Sequence, residues 1–521
     1  MSALTGLEPA SVFHYFEAIC GIPHTSHHEK ALSDYCADFA KEHGLACRQD
    51  EMGNLLIKAP ATPGYENEPA LILQGHLDMV GDKTADCKLD LEKDAIRPVV
   101  DGGYVRAEGT TLGGDDGIAV AYALAVLDAD DIPHPALEVV LTVCEEVGLL
   151  GASAMDFSDL AGRLLINIDS EEEGVLTAGC AGGRRIECHL PAARAAVTGT
   201  AVKADIVGLV GGHSGTEIHK GRANAIALLG RWLTLLEDHG VQYVVLALSG
   251  GAKENVIPKE SSVTLVLPAG ITEAVHAAAA DFAAQMQAEY GTADPAIRLQ
   301  LTEQGCGAYS ALDADSTQRL RKALLLMPWG VQAMSMDVPG LVETSLNLGV
   351  AELGDAEAIL RFSVRSSVPS AKELLARKVQ TLTELLGVAE LGDAEAILRF
   401  SVRSSVPSAK ELLARKVQTL TELLGGSVRF HGDYPAWTYA RESALRDRCV
   451  AVYEAQYGAK PQIVALHAGL ECGILSGKID GLDCISFGPN LLNVHTPNER
   501  ADIASVARVW EYLKAILAYK E

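Results

Sequence analysis

The chain has no CxxC pair, no apolar run of membrane-spanning length, no intact phosphate loop and no surplus of positive charge. Each absence excludes something. Eleven cysteines, an odd number and scattered singly, argue against a disulfide framework or a thiolate zinc site. Cys144 and Cys180 sit inside apolar runs, as small core residues of a reducing compartment do. The start, MSALTGLEPASVFHYFEAICGIPHTS, lacks a basic stretch followed by an apolar core, so no secretory signal is read there. No segment approaches the roughly 20 apolar residues that cross a bilayer. With 43 Lys and Arg against 69 Asp and Glu the net charge is −26, which disfavours nucleic acid and anionic membranes as partners. The cytoplasm is the expected location.

What is present is an alternation. Over residues 1–185, helix-like stretches (SVFHYFEAICGI, HHEKALSDYCADFAKEHG, IAVAYALAVLDADD) alternate with strand-like ones (NLLIKAP, PALILQGHLDMV, ALEVVLTVCEE, GRLLINIDS). That order implies an α/β fold, a three-layer α/β/α unit. From 186 to 430 the texture becomes α+β, with strands such as QYVVLALSGG and SVTLVLPAG and helices such as ANAIALLGRWLTLLEDHG. The tail 431–521 returns to α/β texture. At 521 residues the chain exceeds a single core. The expectation is a discontinuous catalytic domain, 1–185 with 431–521, and an inserted lid, 186–430.

The lid contains a perfect tandem duplication: residues 350–387, VAELGDAEAILRFSVRSSVPSAKELLARKVQTLTELLG, recur unchanged at 388–425. The unit reads as a strand pair followed by a helix, with Ser370 and Glu373 as a capping box and Gly387 suited to the helix end. Solenoid repeats come in three or more drifting copies, so two identical ones do not fit that architecture. One copy is read as surplus to a chain of 483 residues, at a cost to lid stability.

Several apolar segments carry metal-ligand types of residue: LQGHLDMV (His76, Asp78), TLGGDDGIA (Asp115), VLTVCEEVG (Glu145, Glu146), LLINIDSEEEG (Asp169) and SFGPNLLNVHTPNER (His495). Buried strands would gather these residues at strand ends, where α/β sheets place their sites. Taken singly each has a plainer explanation. His76 with Asp78 could be a buried salt bridge, Asp115 a helix cap, Glu145 and Glu146 a solvated pair, Asp169 the start of an acidic loop, His495 polar surface. Together, two imidazoles among several carboxylates suit two zinc-like ions, since magnesium would not need the histidines. A carboxylate such as Asp78 commonly stands behind a ligating imidazole to fix its tautomer. Of two adjacent buried acids, one can bind metal while the other handles the proton of an attacking water.

These motifs, with GCAGG, GGHSGTEIHKGRANA and HAGLECG, closely resemble those of the aminoacyl-histidine dipeptidases, a branch of the dinuclear-zinc aminoacylase and carboxypeptidase superfamily. The resemblance runs from residue 76 to 497. It implies that Asp115 bridges two metals, that His76 and Asp169 complete one site, and that Glu146 and His495 complete the other. It makes Glu145 the general base and acid and Asp78 the residue that orients His76. The metals (zinc, with manganese or cobalt also compatible) would lower the pKa of a bridging water and polarise the scissile carbonyl. The implied substrates are unblocked dipeptides, including Xaa-His, and the implied assembly is a homodimer. In the lid, His213 is implied as a contact to the transition-state oxygen, with Asn255 and His467 as further substrate contacts. An arginine that pairs with the substrate carboxylate falls in FSVRSS, which both Arg365 and Arg403 match. Asp116 departs from the asparagine of many relatives. The alternatives are an N-acyl amino acid amidohydrolase of the same superfamily and a metal-binding chain inactivated by its duplicated lid.

Overall fold

A computed structural model describes residues 3–336, 338, 340–354, 357–366, 397–404, 428–466 and 469–520, with backbone alone described over 184–189, 191, 357–366, 397–404 and 428–434. Ser370, Glu373, Gly387 and His467 lie outside the described residues. The chain divides into two compact units, Met1–Gly179 with Tyr439–Ala465 and Leu470–Glu521, and Cys180–Thr438 with Leu466–Gly469.

The first unit is built on an eight-stranded sheet. Its centre is parallel: Leu137–Thr142, Leu71–His76, Leu164–Asn167 and Asp483–Ser486 lie side by side in that order. Every residue of LILQGH and LEVVLT is buried, which is why these strands read as continuous apolar runs. Leu71, Leu73, Val139, Leu141 and Ile166 join Phe13, Phe16, Tyr122 and Trp510 in one core. The alternate residues Ile72, Val140 and Leu165 are fully buried on the opposite face. The helix Gly114–Asp128, rich in alanine, is buried along most of its length. Tyr122 on it stacks on Trp510, with ring centroids 5.8 Å apart, and so ties it to the C-terminal helix Ile503–Leu517. A separate four-stranded sheet pairs Arg500–Asp502 with Tyr104–Ala107, bringing the tail beside the segment that precedes Asp115.

The second unit centres on a ten-stranded sheet. Arg194–Val207 pairs along its whole length with Arg298–Leu312, a strand absent from the sequence reading because it is polar and largely exposed. The helices Ala225–Asp238, Glu273–Tyr290 and Ala314–Leu326 cover the sheet through Trp232, Phe282 and Leu320.

The duplication meets this sheet in one place. Glu357–Ser366 from the first copy and Ile397–Ser404 from the second both pair antiparallel with Gly182–Pro191, in the same register. Phe362 and Phe400 each stand opposite Ile186, and so does Phe430 of Val428–Tyr434. A strand has two hydrogen-bonding edges, so Ile186 can keep two such neighbours and not three. The two copies therefore specify the same register against Gly182–Pro191, and they also pair with each other in parallel, Phe362 opposite Phe400.

Candidate metal centre

The first unit's central strands deliver their polar residues at one edge of the sheet. His76 ends its strand, Glu145 and Glu146 follow Leu137–Thr142 by a short turn, and Asp169 lies just beyond Leu164–Asn167. His495 is carried by the loop after Leu491–Leu492. Asp115 differs from the strand-end expectation: it is the second residue of the helix Gly114–Asp128, with non-helical backbone angles (φ −87°, ψ 104°). The loop before it turns at Gly113, whose φ is +69° and where a Cβ would lie 2.8 Å from Met79 Sδ.

Asp115 faces both histidines. Its Oδ1 lies 3.1 Å from His76 Nε2 and its Oδ2 lies 3.0 Å from His495 Nε2. His495 Nε2 is also 2.9 Å from Glu146 Oε1, and His76 Nε2 is 3.9 Å from Asp169 Oδ1. Ligand atoms of Asp115, Glu146 and His495 form one compact group; those of His76, Asp116 and Asp169, and of His76, Glu145 and Glu146, form two others. Two ligands of one tetrahedral ion, each at 2.0–2.2 Å, stand about 3.4 Å apart, so these spacings fit a nitrogen-and-oxygen metal site.

Asp78 has three partners besides His76. Its carboxylate accepts hydrogen bonds from the backbone N–H of Glu145 (2.8 Å) and Glu146 (3.2 Å) and from Ser26 Oγ (2.8 Å). It stands 3.6 Å from His76 Nδ1, while that nitrogen is nearer the Asp78 carbonyl, at 2.9 Å. Donation from Nδ1 to that carbonyl leaves Nε2 available to bind a metal. Asp116 Oδ2 accepts from the backbone N–H of His76 at 3.1 Å, and the missing side chain of Gly75 makes room for it.

The sequence reading did not include Glu499. It is buried, and its carboxylate receives the N–H groups of Leu112 (2.8 Å), Gly113 (3.2 Å) and Gly114 (2.8 Å) at the start of the Asp115 helix. Burial, then the charge of Asp115, pushes its pKa up to about 6.

Electrostatics favour a cation here. Burial raises Glu145 and Asp169 well above the usual carboxylate range, and neighbouring carboxylates add to the shift. Burial also raises Glu146, with the His495 hydrogen bond opposing. For His76, burial disfavours the charged ring, yet its bonds with Asp115 and Asp78 outweigh that and hold its pKa well above the ordinary value. The same competition raises His495 to about 11.

The remaining candidates belong to the second unit. His213, in Gly212–His213, pairs with Val256, and Ser214 N donates to the Asn255 carbonyl at 2.9 Å, so these two motifs adjoin. Arg365 and Arg403 both stand opposite Gly183.

The cytosol non-specific dipeptidase of Escherichia coli (strain K12) is 34% identical over 519 residues, covering 99% of each chain. The crystal structure of aminoacylhistidine dipeptidase from Vibrio alginolyticus is also 34% identical, with a TM-score of 0.82 over 99% of this chain and 97% of that one. A tripeptidase from Staphylococcus aureus, 16% identical, shares the fold at a TM-score of 0.51, covering 98% of both chains. Residues 72–519 match the family described as peptidase family M20/M25/M40, and the chain belongs to that family.

Proposed function

We propose that the chain is a metal-dependent dipeptidase acting on unblocked dipeptides, Xaa-His among them. The observation that carries this reading is the carboxylate of Asp115, which turns one oxygen to His76 and the other to His495. We assign His76 and Asp169 to one metal, Glu146 and His495 to a second, and Asp115 to both. Zinc suits this mixture of imidazole and carboxylate; manganese and cobalt also fit it. When bound, the metal pair supplies Lewis acidity toward water and the scissile carbonyl.

The chain's own residues do the rest. Glu145, acting as the carboxylate, takes a proton from the attacking water and passes it to the leaving amine. Asp78 holds the backbone of Glu145 and fixes the His76 ring. His213, Asn255, His467 and the arginine of one repeat copy are proposed as substrate contacts. A homodimer in the cytoplasm is the proposed setting, and the name of the E. coli relative supports the compartment.

The test is hydrolysis of free dipeptides, β-Ala-His included, by the purified chain before and after chelation and zinc return. Cleavage that chelation stops and zinc restores is expected. Cleavage of N-acyl amino acids in place of free dipeptides would overturn the substrate class, and bound metal without turnover of either would mark the chain as inactive.

A further inference from the structure

Behind the candidate ligands lies a carboxyl group with no place in the scheme above. Glu471 opens the helix Glu471–Lys478 and is fully buried. A carboxylate is favoured at a helix N-terminus, but that does not explain its position. Its Oε2 accepts hydrogen bonds from Gln74 Nε2 and Thr142 Oγ1, both at 2.5 Å. Gln74 Oε1 in turn accepts from Asn167 Nδ2 at 2.6 Å, and Asn167 Oδ1 lies 3.4 Å from the backbone N–H of Asp169. Gln74, Thr142 and Asn167 are themselves buried and sit on three neighbouring parallel strands.

The spacing is what matters. Gln74 lies two residues before His76, Thr142 three before Glu145, and Asn167 two before Asp169. One carboxyl group thus ties together the ends of the three strands that carry these residues. The other oxygen, Oε1, is buried and has no hydrogen-bond partner among the described residues. Leaving a buried acceptor unpaired is costly, and an apolar side chain would fill the same space without that cost.

We infer that Glu471 is a positioning residue of the metal centre: through Gln74, Thr142 and Asn167 it sets the spacing of His76, the Glu145–Glu146 pair and Asp169. This rests on the metal-centre reading above. Partners of this kind behind a ligand typically change metal affinity 10- to 100-fold when removed.

The experiment is a cobalt titration of the metal-free full-length chain, followed by its visible ligand-field spectrum, for wild type, Glu471→Gln, Glu471→Ala and Thr142→Val. Gln keeps an oxygen acceptor for both donors, so Glu471→Gln should bind cobalt within about 3-fold of wild type with the same spectrum. Glu471→Ala should bind about 10- to 100-fold more weakly with an altered spectrum. Thr142→Val, which keeps the volume and removes one donor, should fall between them and keeps the test decisive if the alanine variant does not fold. A control, Leu71→Ala on the opposite face of the same sheet, should lower the melting temperature while leaving the spectrum unchanged. Wild-type affinity and spectrum in Glu471→Ala, or in Thr142→Val where alanine does not fold, would overturn the inference. A wild-type chain that takes up no cobalt would instead overturn the metal-centre reading.

Discussion

In the first unit, the acidic and histidine side chains come from stretches of sequence that differ from one another, and each stretch has one position. In the second, two identical stretches share one register, opposite Ile186. Both regions rest on the same hydrogen-bonding rules. What separates them is distinctness: LQGHLDMV cannot be mistaken for LLINIDS, whereas nothing in ILRFSVRS tells the sheet which copy to accept. Register is set by side-chain pattern, and identical patterns set identical registers.

The comparison can be broken most severely at Asp115. Asp115→Ala removes the carboxylate between the two histidines and should release both metals and all measurable dipeptide hydrolysis, checked by metal analysis and assay. Glu145→Ala should lower turnover by about 1,000-fold or more while both metals remain bound, which separates proton transfer from metal binding. Retention of near-normal rate would remove Glu145 from that role.

Removing one repeat copy makes the second unit resemble the first, with one stretch for one position. Deleting 350–387 or 388–425 yields the same polypeptide, so deletion cannot say which copy is used. The shortened chain should melt several degrees higher; an unchanged melting temperature would show that the extra copy is harmless. Point substitutions can mark the copies. The first copy forms a hairpin with Val342–Leu353 across residues 354–356, and closing so short a loop in place of one some 40 residues long saves about 2 kcal/mol. Arg365→Ala should therefore reduce dipeptide hydrolysis strongly and Arg403→Ala little; equal partial losses would show that the copies exchange.

A smaller effect should appear with pH in the metal-free protein. Burial raises Glu471 to about 7 and raises Glu145 and Asp169 as well, so their folded pKa values exceed the unfolded ones. Such groups stabilise the fold fully below their unfolded pKa, and that contribution is lost as pH rises through the folded values. His76 and His495 are raised too and act in the same sense, at higher pH. The metal-free melting temperature should therefore fall between about pH 5 and pH 8, and the gain on adding zinc should be larger at the upper end. A flat profile would mean that these acids are not buried as charges.

Much of the first unit could be read from the chain because its central strands are apolar on both faces and its helices are amphipathic or alanine-rich. The strand Arg298–Leu312 was not legible, since an exposed, polar strand carries no apolar signature. A glycine-rich turn before a small-residue helix reads as a helix start, and Asp115 stands there rather than at a strand end. Glu471 and Glu499 escaped for another reason. A buried carboxylate has no periodicity of its own, and its partners lie hundreds of residues away.

Glu499 follows His495 by four residues, and its carboxylate holds the turn that presents Asp115. The same short stretch near the end of the chain thus brings a candidate ligand, His495, and also anchors the turn that carries Asp115. Distance between the two is measured along a few covalent bonds rather than across a whole fold. Residues 495–499 act as a built-in ruler: lengthening that stretch by one residue would misplace both ends together, however well the rest of the molecule folded.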